Sequence, residues 1–188
     1  MYSASDLKKG LKIEIDGDPH IVTDFQFSKP GKGQAMYKCR LKNVRTGATF
    51  DKTYRSVEKI AKPDLRDKDM VYSYPDGDNF VFIDPNTYDQ VTVDADVLGD
   101  LKHFIEEDME VKVLFHNDTA LEVTLPNFVE KTIAETEPGA RGDTATNVMK
   151  PAKIENGYEL QVPLFINEGD IVKIDTRDGK YSERVSKG

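Results

Sequence analysis

The sequence holds one cysteine and only three histidines in 188 residues, and each scarcity closes off a class of chemistry. A lone Cys39 makes no internal disulfide, and one thiol makes no thiolate zinc cluster. His20, His103 and His116 fall in different segments, each beside strand or helix patterning, with no paired metal-ligand spacing. A nucleophile elbow and a glycine-rich dinucleotide fingerprint are also missing. The expectation is a chain without catalytic residues, metal or cofactor. No stretch approaches the roughly 20 apolar residues that a membrane-spanning helix needs. Met1 to Gly10 lacks the apolar core and small-residue cleavage site of a secretory leader. A cytoplasmic protein with no membrane partner is expected.

What is present is charge, unevenly spread. Hydrophobic residues make up 38% and charged residues 32%, with a net charge of −8. Residues 1–64 carry 13 Lys/Arg against 8 Asp/Glu, or +5; residues 65–128 carry 4 against 15, or −11; residues 129–188 carry 9 against 11, or −2. A basic end suits phosphate, because each neutralised phosphate releases counterions. The acidic middle is repelled by bare RNA and faces solvent, a basic protein or magnesium-screened RNA. Charge that merely keeps a chain soluble has the same pattern. The length is generous for one domain and short for three of ordinary size. Three barrels near 60 residues each fit it, provided they gain from packing on their neighbours.

Strand signals dominate. Lys12-Ile13-Glu14-Ile15-Asp16 alternates, Gly17-Asp18 predicts a turn, and His20 to Phe27 reads as a second strand. From Ala35 to Leu41 the odd positions are Ala, Tyr, Cys and Leu and the even ones are Met36, Lys38 and Arg40, which places one face inward. Ala48 to Tyr54 follows a Thr46-Gly47 turn. Asp69 to Tyr74 and Asn79 to Ile83 flank Pro75-Asp76-Gly77-Asp78, and Gln90 to Asp94 is another strand. Val97, Leu98, Leu101, Phe104 and Ile105 predict a helix over 95–105. Glu110 to Phe115 and Leu121 to Leu125 form a hairpin about Asn117-Asp118. Beyond Pro126-Asn127, strands are expected at 129–137, 152–155, 159–163, 170–175 and 180–185, with a low-hydrophobicity loop between Pro138 and Pro151. The reading is all-β, with three small barrels over 1–64, 65–128 and 129–188, the second of OB type.

Ser28-Lys29-Pro30-Gly31-Lys32-Gly33-Gln34 sits between two of these strands. The flanking strands span about 25–30 Å at roughly 3.3 Å per residue, which predicts an arm with a lysine at its end. Pro30 stiffens the entry; Gly31 and Gly33 are expected to permit positive φ and close approach of another backbone. Lys32 then projects alone as a point charge with three donors on a flexible stem. Taken by itself this string also reads as an ordinary solvated hairpin turn. It is not a phosphate-binding P-loop, because Gly33 follows the lysine where that loop needs Ser or Thr.

The run Lys29-Pro30-Gly31-Lys32-Gly33-Gln34-Ala35 resembles the tip loop of the bacterial elongation factor P family, with the family's modified lysine falling on Lys32. A separate likeness lies in Gly142-Asp143-Thr144-Ala145, Lys150-Pro151-Ala152 and Val162 through Asp170, with Asn127-Phe128-Val129 matching the joint before them. Lysine at the tip separates the chain from a branch with arginine there. Gln34 and a third barrel separate it from the two-domain, hypusine-bearing counterpart of archaea and eukaryotes.

The resemblance implies an N-terminal KOW/SH3-like barrel and two OB-fold barrels in an L-shaped, tRNA-like outline. It implies a monomer that binds both ribosomal subunits between the P and E sites. There it relieves stalling at consecutive prolines by positioning peptidyl-tRNA through Lys32. Lys32 would touch the tRNA CCA end and be the target of a lysine-modifying enzyme that adds a β-lysyl or aminopentanol-type group. Lys38, Arg40 and Lys42, together with Lys29, are the candidate contacts to tRNA and ribosomal RNA. Arg141, Gly142, Asp143 and Thr144 form the candidate E-site codon loop. A different class, a generic single-strand binder of OB type, needs aromatics on a basic groove. Tyr72, Tyr74, Phe80 and Phe82 lie in the −11 segment, so they are expected in the core.

Overall fold

The computed structural model describes residues 1–138 and 148–188. The first strands are β1 (Tyr2–Ser3), β2 (Lys12–Ile15), β3 (Asp18–Ser28), β4 (Met36–Asn43), β5 (Thr49–Arg55) and β6 (Lys59–Ile60). β2 to β5 form a four-stranded antiparallel meander, and β1 pairs with β6. The β2–β3 turn lies one residue earlier than expected. Asp16 and Gly17 both take left-handed backbone, φ 52° and 82°, as a two-residue hairpin loop matched to strand twist requires. On β4 the expected alternation holds, with Cys39 and Leu41 buried and Lys38, Arg40 and Lys42 exposed. The inward residues meet Ala4, Leu7, Ile13, Val22, Tyr54 and Ile60 in one core. Burial pushes the Cys39 thiol up, and burial, helped by Cys39 and Glu58, pushes Tyr54 up to about 12. Cys39 is therefore a core residue, with no character of a nucleophile.

The second group is β7 (Leu65–Asp76), β8 (Asn79–Ile83), β9 (Gln90–Val93), α1 (Ala95–Leu98), β10 (Glu110–His116) and β11 (Thr119–Thr124), with sheet order β11-β10-β7-β8-β9. The hairpin turn is Gly77-Asp78 alone. Pro75 and Asp76 continue the strand, because proline's fixed φ suits extended chain as well as a turn. The helix expected over 95–105 is two pieces. Asp94 caps the N-terminus by accepting from the Asp96 N–H, α1 ends at Leu98, Gly99 turns at φ 54°, and a 3₁₀ turn covers Gly99–His103. The apolar spacing still delivers buried Leu98 and Phe104 to the core. Tyr72 and Phe82 are buried as expected and Phe80 packs on Tyr72, whereas Tyr74 is exposed.

The third group is β12 (Phe128–Thr136), β13 (Met149–Ile154), β14 (Glu159–Pro163), β15 (Ile171–Asp175) and β16 (Lys180–Ser186), in order β14-β13-β12-β15-β16. β14 and β16, at the two ends of that order, also meet. Bulges in β12 and between β15 and β16 supply the curvature. Ile133, Ile154, Val162, Ile166, Val172 and Ile174 fill the core, each contributing roughly 1.5–3 kcal/mol of burial. Met1–Asp67 with Leu114–Leu121 make one compact unit, and Lys68–Val113 with Glu122–Gly188 the other.

Candidate functional site at the tip of the first sheet

The β3–β4 ladder runs from His20 opposite Asn43 to Ser28 opposite Met36, leaving Lys29–Ala35 as the loop. At roughly 3.3 Å per residue, His20 to Ser28 rises about 26 Å. This is not a bare two-stranded arm. β5 accompanies β4 throughout, with Tyr54 opposite Tyr37 and Arg55 opposite Met36, and the Ser56 N–H donates to the Ala35 carbonyl at 3.2 Å. Phe25 stacks on Tyr37 at 6.0 Å, and Phe27, 55% exposed, packs on the same ring at 5.1 Å. Three strands and an aromatic row thus carry the loop, and an isolated hairpin would be marginal in water.

Within the loop the Gly33 N–H donates to the Pro30 carbonyl at 2.9 Å, closing a turn with Gly31 and Lys32 at its centre. Lys29, Pro30, Gly31, Lys32, Gly33 and Gln34 are all exposed. The positive φ expected of the glycines is not found, since neither takes left-handed backbone. A methyl group on Gly31 would meet nothing within 4 Å, and one on Gly33 would touch only the Pro30 ring at 3.5 Å. The loop's own geometry therefore does not demand glycine on either side of Lys32. What the two glycines provide is bare backbone beside the amine.

Below the tip, Lys38, Arg40 and Lys42 share the exposed face of β4, but the face is not purely basic. Asp24 and Asp51 stand opposite Arg40 on the neighbouring strands, and Asp51 approaches its guanidinium at 3.8 Å. Arg141, Gly142, Asp143 and Thr144 lie outside the described residues. The strands that lead to them are tied together. The buried Lys150, 6% exposed, donates its amine to the Glu137 carbonyl, and Thr136 Oγ1 donates to the Pro151 carbonyl at 2.9 Å. Sequence reasoning assigned Lys150 no such part; its only mark was a place in the Lys150-Pro151-Ala152 motif.

Among the described residues, the three histidines do not come together in one site. His20 Nδ1 lies 2.9 Å from the Asp18 carbonyl and its ring meets Phe50 edge-on; His103 stacks on Tyr158; buried His116 lies 3.9 Å from Glu14. Among the described residues no three His, Cys, Asp or Glu are grouped as a metal site. No helix among them is long and apolar enough to cross a membrane.

Comparison with known proteins decides the family. Residues 3–60 match the family model described as the elongation factor P (EF-P) KOW-like domain, 65–123 the elongation factor P OB domain, and 129–184 the elongation factor P C-terminal domain. The elongation factor P of Desulforapulum autotrophicum is 50% identical over 186 residues, covering 99% of this chain and 100% of that one. The chain belongs to the elongation factor P family. The elongation factor P of Desulfosudis oleivorans is 49% identical over 187 residues, with full coverage of both chains. Membership makes the protein a non-catalytic, ribosome-binding translation elongation factor, built of a KOW-like domain and two OB-type domains. In fold alone, it resembles the solved eukaryotic translation initiation factor 5A from Methanococcus jannaschii (TM-score 0.55, 21% identity, 66% of this chain and 93% of that chain).

Proposed function

We propose that this elongation factor P is of the lysine-tip type. It binds between the ribosomal P and E sites and relieves stalling at consecutive prolines by holding the peptidyl-tRNA end through Lys32. The supporting observation is an exposed lysine at the centre of a closed turn, on a three-stranded support, with glycine on both sides. Proline's ring restricts the backbone and makes it a poor nucleophile. A group that holds the CCA end in a productive pose removes part of an entropic barrier that is worth several kcal/mol in well-positioned reactions. Lys32 acts as a positioner, extended by a modifying enzyme with a β-lysyl or aminopentanol-type group, while the ribosome performs the chemistry.

The remaining assignments follow from that placement. Lys29, Lys38, Arg40 and Lys42 are offered to tRNA and ribosomal RNA, with Arg40 leaving Asp51 to do so. Arg141 to Thr144 approach the E-site codon. The three segments 1–64, 65–128 and 129–188 act as one cytoplasmic monomer, and the acidic second segment faces away from bare RNA. The direct test compares cells with and without the protein, using reporters that differ only in a polyproline run. Synthesis of the polyproline reporter is expected to fall while the control is unchanged; equal pausing at prolines in both strains overturns the reading.

The glycines carry a second expectation. Because Gly31 needs neither positive φ nor space, Gly31→Ala should leave thermal stability unchanged or raise it by about 0.4–1 kcal/mol through the unfolded state. The same change places a methyl beside the amine where tRNA must approach, so polyproline rescue should drop severalfold. Full rescue by the alanine variant would remove close approach as the reason for glycine.

A further inference from the structure

A groove of about 440 Å³ lies on the first unit, lined by Tyr2, Lys8, Lys9, Lys12, Lys62 and Leu65 among others. Its four lysines come from two places 50 residues apart. Lys8 and Lys9 sit on a hydrogen-bonded turn in which the Leu11 N–H donates to the Lys8 carbonyl at 3.1 Å. Gly10, at φ 91°, takes the one position of that turn where a side chain is disfavoured. The turn is fixed at both ends. Buried Leu7 precedes it, and the Gly10 N–H and Leu11 carbonyl bond Val22 on β3 at 2.7 and 2.9 Å. Lys62 is brought alongside by the β1–β6 ladder and by the Glu14 N–H donating to the Ala61 carbonyl at 2.9 Å. Its amine stands 5.6 Å over the Tyr2 ring. Of the carboxylates nearby in sequence, Asp6 accepts from the Ser3 N–H and hydroxyl and also feels the charges of Lys59 and Lys8, Asp64 faces Arg66 at 3.9 Å, and Glu14 lies 3.9 Å from His116.

We infer that this groove is a second RNA contact, gripping a sugar-phosphate backbone through Lys8, Lys9, Lys12 and Lys62. The inference rests on the ribosome-bound reading above and extends it away from the tip. Four lysines lining one open groove, on backbone held in place by the turn and by the β1–β6 ladder, suit a run of phosphates, which need charge without base readout. The β4 face is the weaker candidate for that grip, since its central arginine already has Asp51 opposite. The 440 Å³ of space accommodates backbone, and the groove gathers 4 of the 13 basic residues of segment 1–64.

The test is the salt dependence of binding to ribosomes carrying P-site tRNA, followed with labelled protein over a KCl series at fixed magnesium. Removing one lysine–phosphate pair lowers the slope of log K against log salt by about 0.7–0.9. A variant with all four lysines changed to Gln should lose about 3 in slope. The paired variants Lys8→Gln/Lys9→Gln and Lys12→Gln/Lys62→Gln should each lose about half of that, and their melting temperatures report whether they are folded. A charge-matched variant with Lys102, Lys112, Lys153 and Lys180 changed to Gln should keep the wild-type slope. Equal losses in both quadruple variants would mean only long-range attraction and overturn the inference, as would a wild-type slope in folded groove variants. Slowed modification of Lys32 with unchanged ribosome binding would also overturn it, assigning the groove to an acidic protein surface. If the wild-type protein itself neither binds nor rescues, the failure belongs to the ribosome-bound reading and not to the groove.

Discussion

Lys32→Ala is expected to lose most polyproline rescue while retaining much of the protein's affinity for the ribosome. The amine stands exposed at the centre of the tip turn, so truncation removes no contact within the fold and melting temperature should not move. On the proposed function, what disappears is a charge-assisted hydrogen bond to the tRNA end, worth about 1.5–3 kcal/mol. With each 1.4 kcal/mol equal to about tenfold in rate, peptide-bond formation at a polyproline stall should slow roughly 10- to 100-fold. Affinity should fall less, because the contacts proposed below the tip and along the groove remain. Lys32→Arg separates charge from reach. It keeps a cation but offers no primary amine for modification, so it should rescue only in part. Rates at the stall site in a reconstituted translation system give both numbers. An alanine variant as active as wild type would remove Lys32 from the mechanism, leaving the family assignment untouched.

The strands were legible because half-buried sheets impose a period of two, and β4 shows it without interruption from Met36 to Asn43. The single long helix was not legible as two pieces. Leu98 and Phe104 do reach the core, so the apolar spacing was sound, but spacing cannot register that Gly99 turns the chain between them. Pro75 was likewise assigned to a turn when its fixed φ serves an extended strand equally well. Such positions are decided by neighbours across the sheet, here Phe80 opposite Pro75.

The candidate site divides in the same way. A lysine between two glycines is local, and its exposure could be anticipated from the string alone. Its support was hidden, because β5 reaches the tip only through pairing of Tyr37 with Tyr54, seventeen residues apart in the chain. The groove was hidden for the same reason. Lys62 means nothing beside Lys8 and Lys9 until β1 pairs with β6. Net charge announced a basic segment, but only topology separates the β4 face, interrupted by Asp24 and Asp51, from the four lysines that line one groove.

Asp170→Ala should be among the most destabilising single changes in the third sheet. Its carboxylate is 3% exposed, accepts from the Asn167 N–H at 2.9 Å and the Gly188 N–H at 3.0 Å, and faces Arg184 at 3.8 Å. Burial alone would raise its pKa. The two backbone donors, with Arg184 and Lys187, outweigh burial and hold the group below its ordinary 3.8. Removing the acceptor strands two N–H groups and a guanidinium, at a cost of about 2–4 kcal/mol. At about 2–4 °C per kcal/mol for a chain of this size, the melting temperature should drop by roughly 5–15 °C. The sign of the pH effect follows from the depressed value. The ionised carboxylate favours the folded state fully above the unfolded pKa, and that contribution fades as pH falls through the folded pKa. Asp170→Asn mimics the protonated form. Its deficit against wild type should therefore be full near pH 7 and shrink steadily below about pH 3.8. Asp6, Asp18, Asp84 and Asp175 are depressed as well, so the whole chain weakens in acid and only the difference between variant and wild type isolates Asp170. A deficit that stays constant from about pH 7 to about pH 3 would show that packing, and not the charge on Asp170, holds this corner of the barrel.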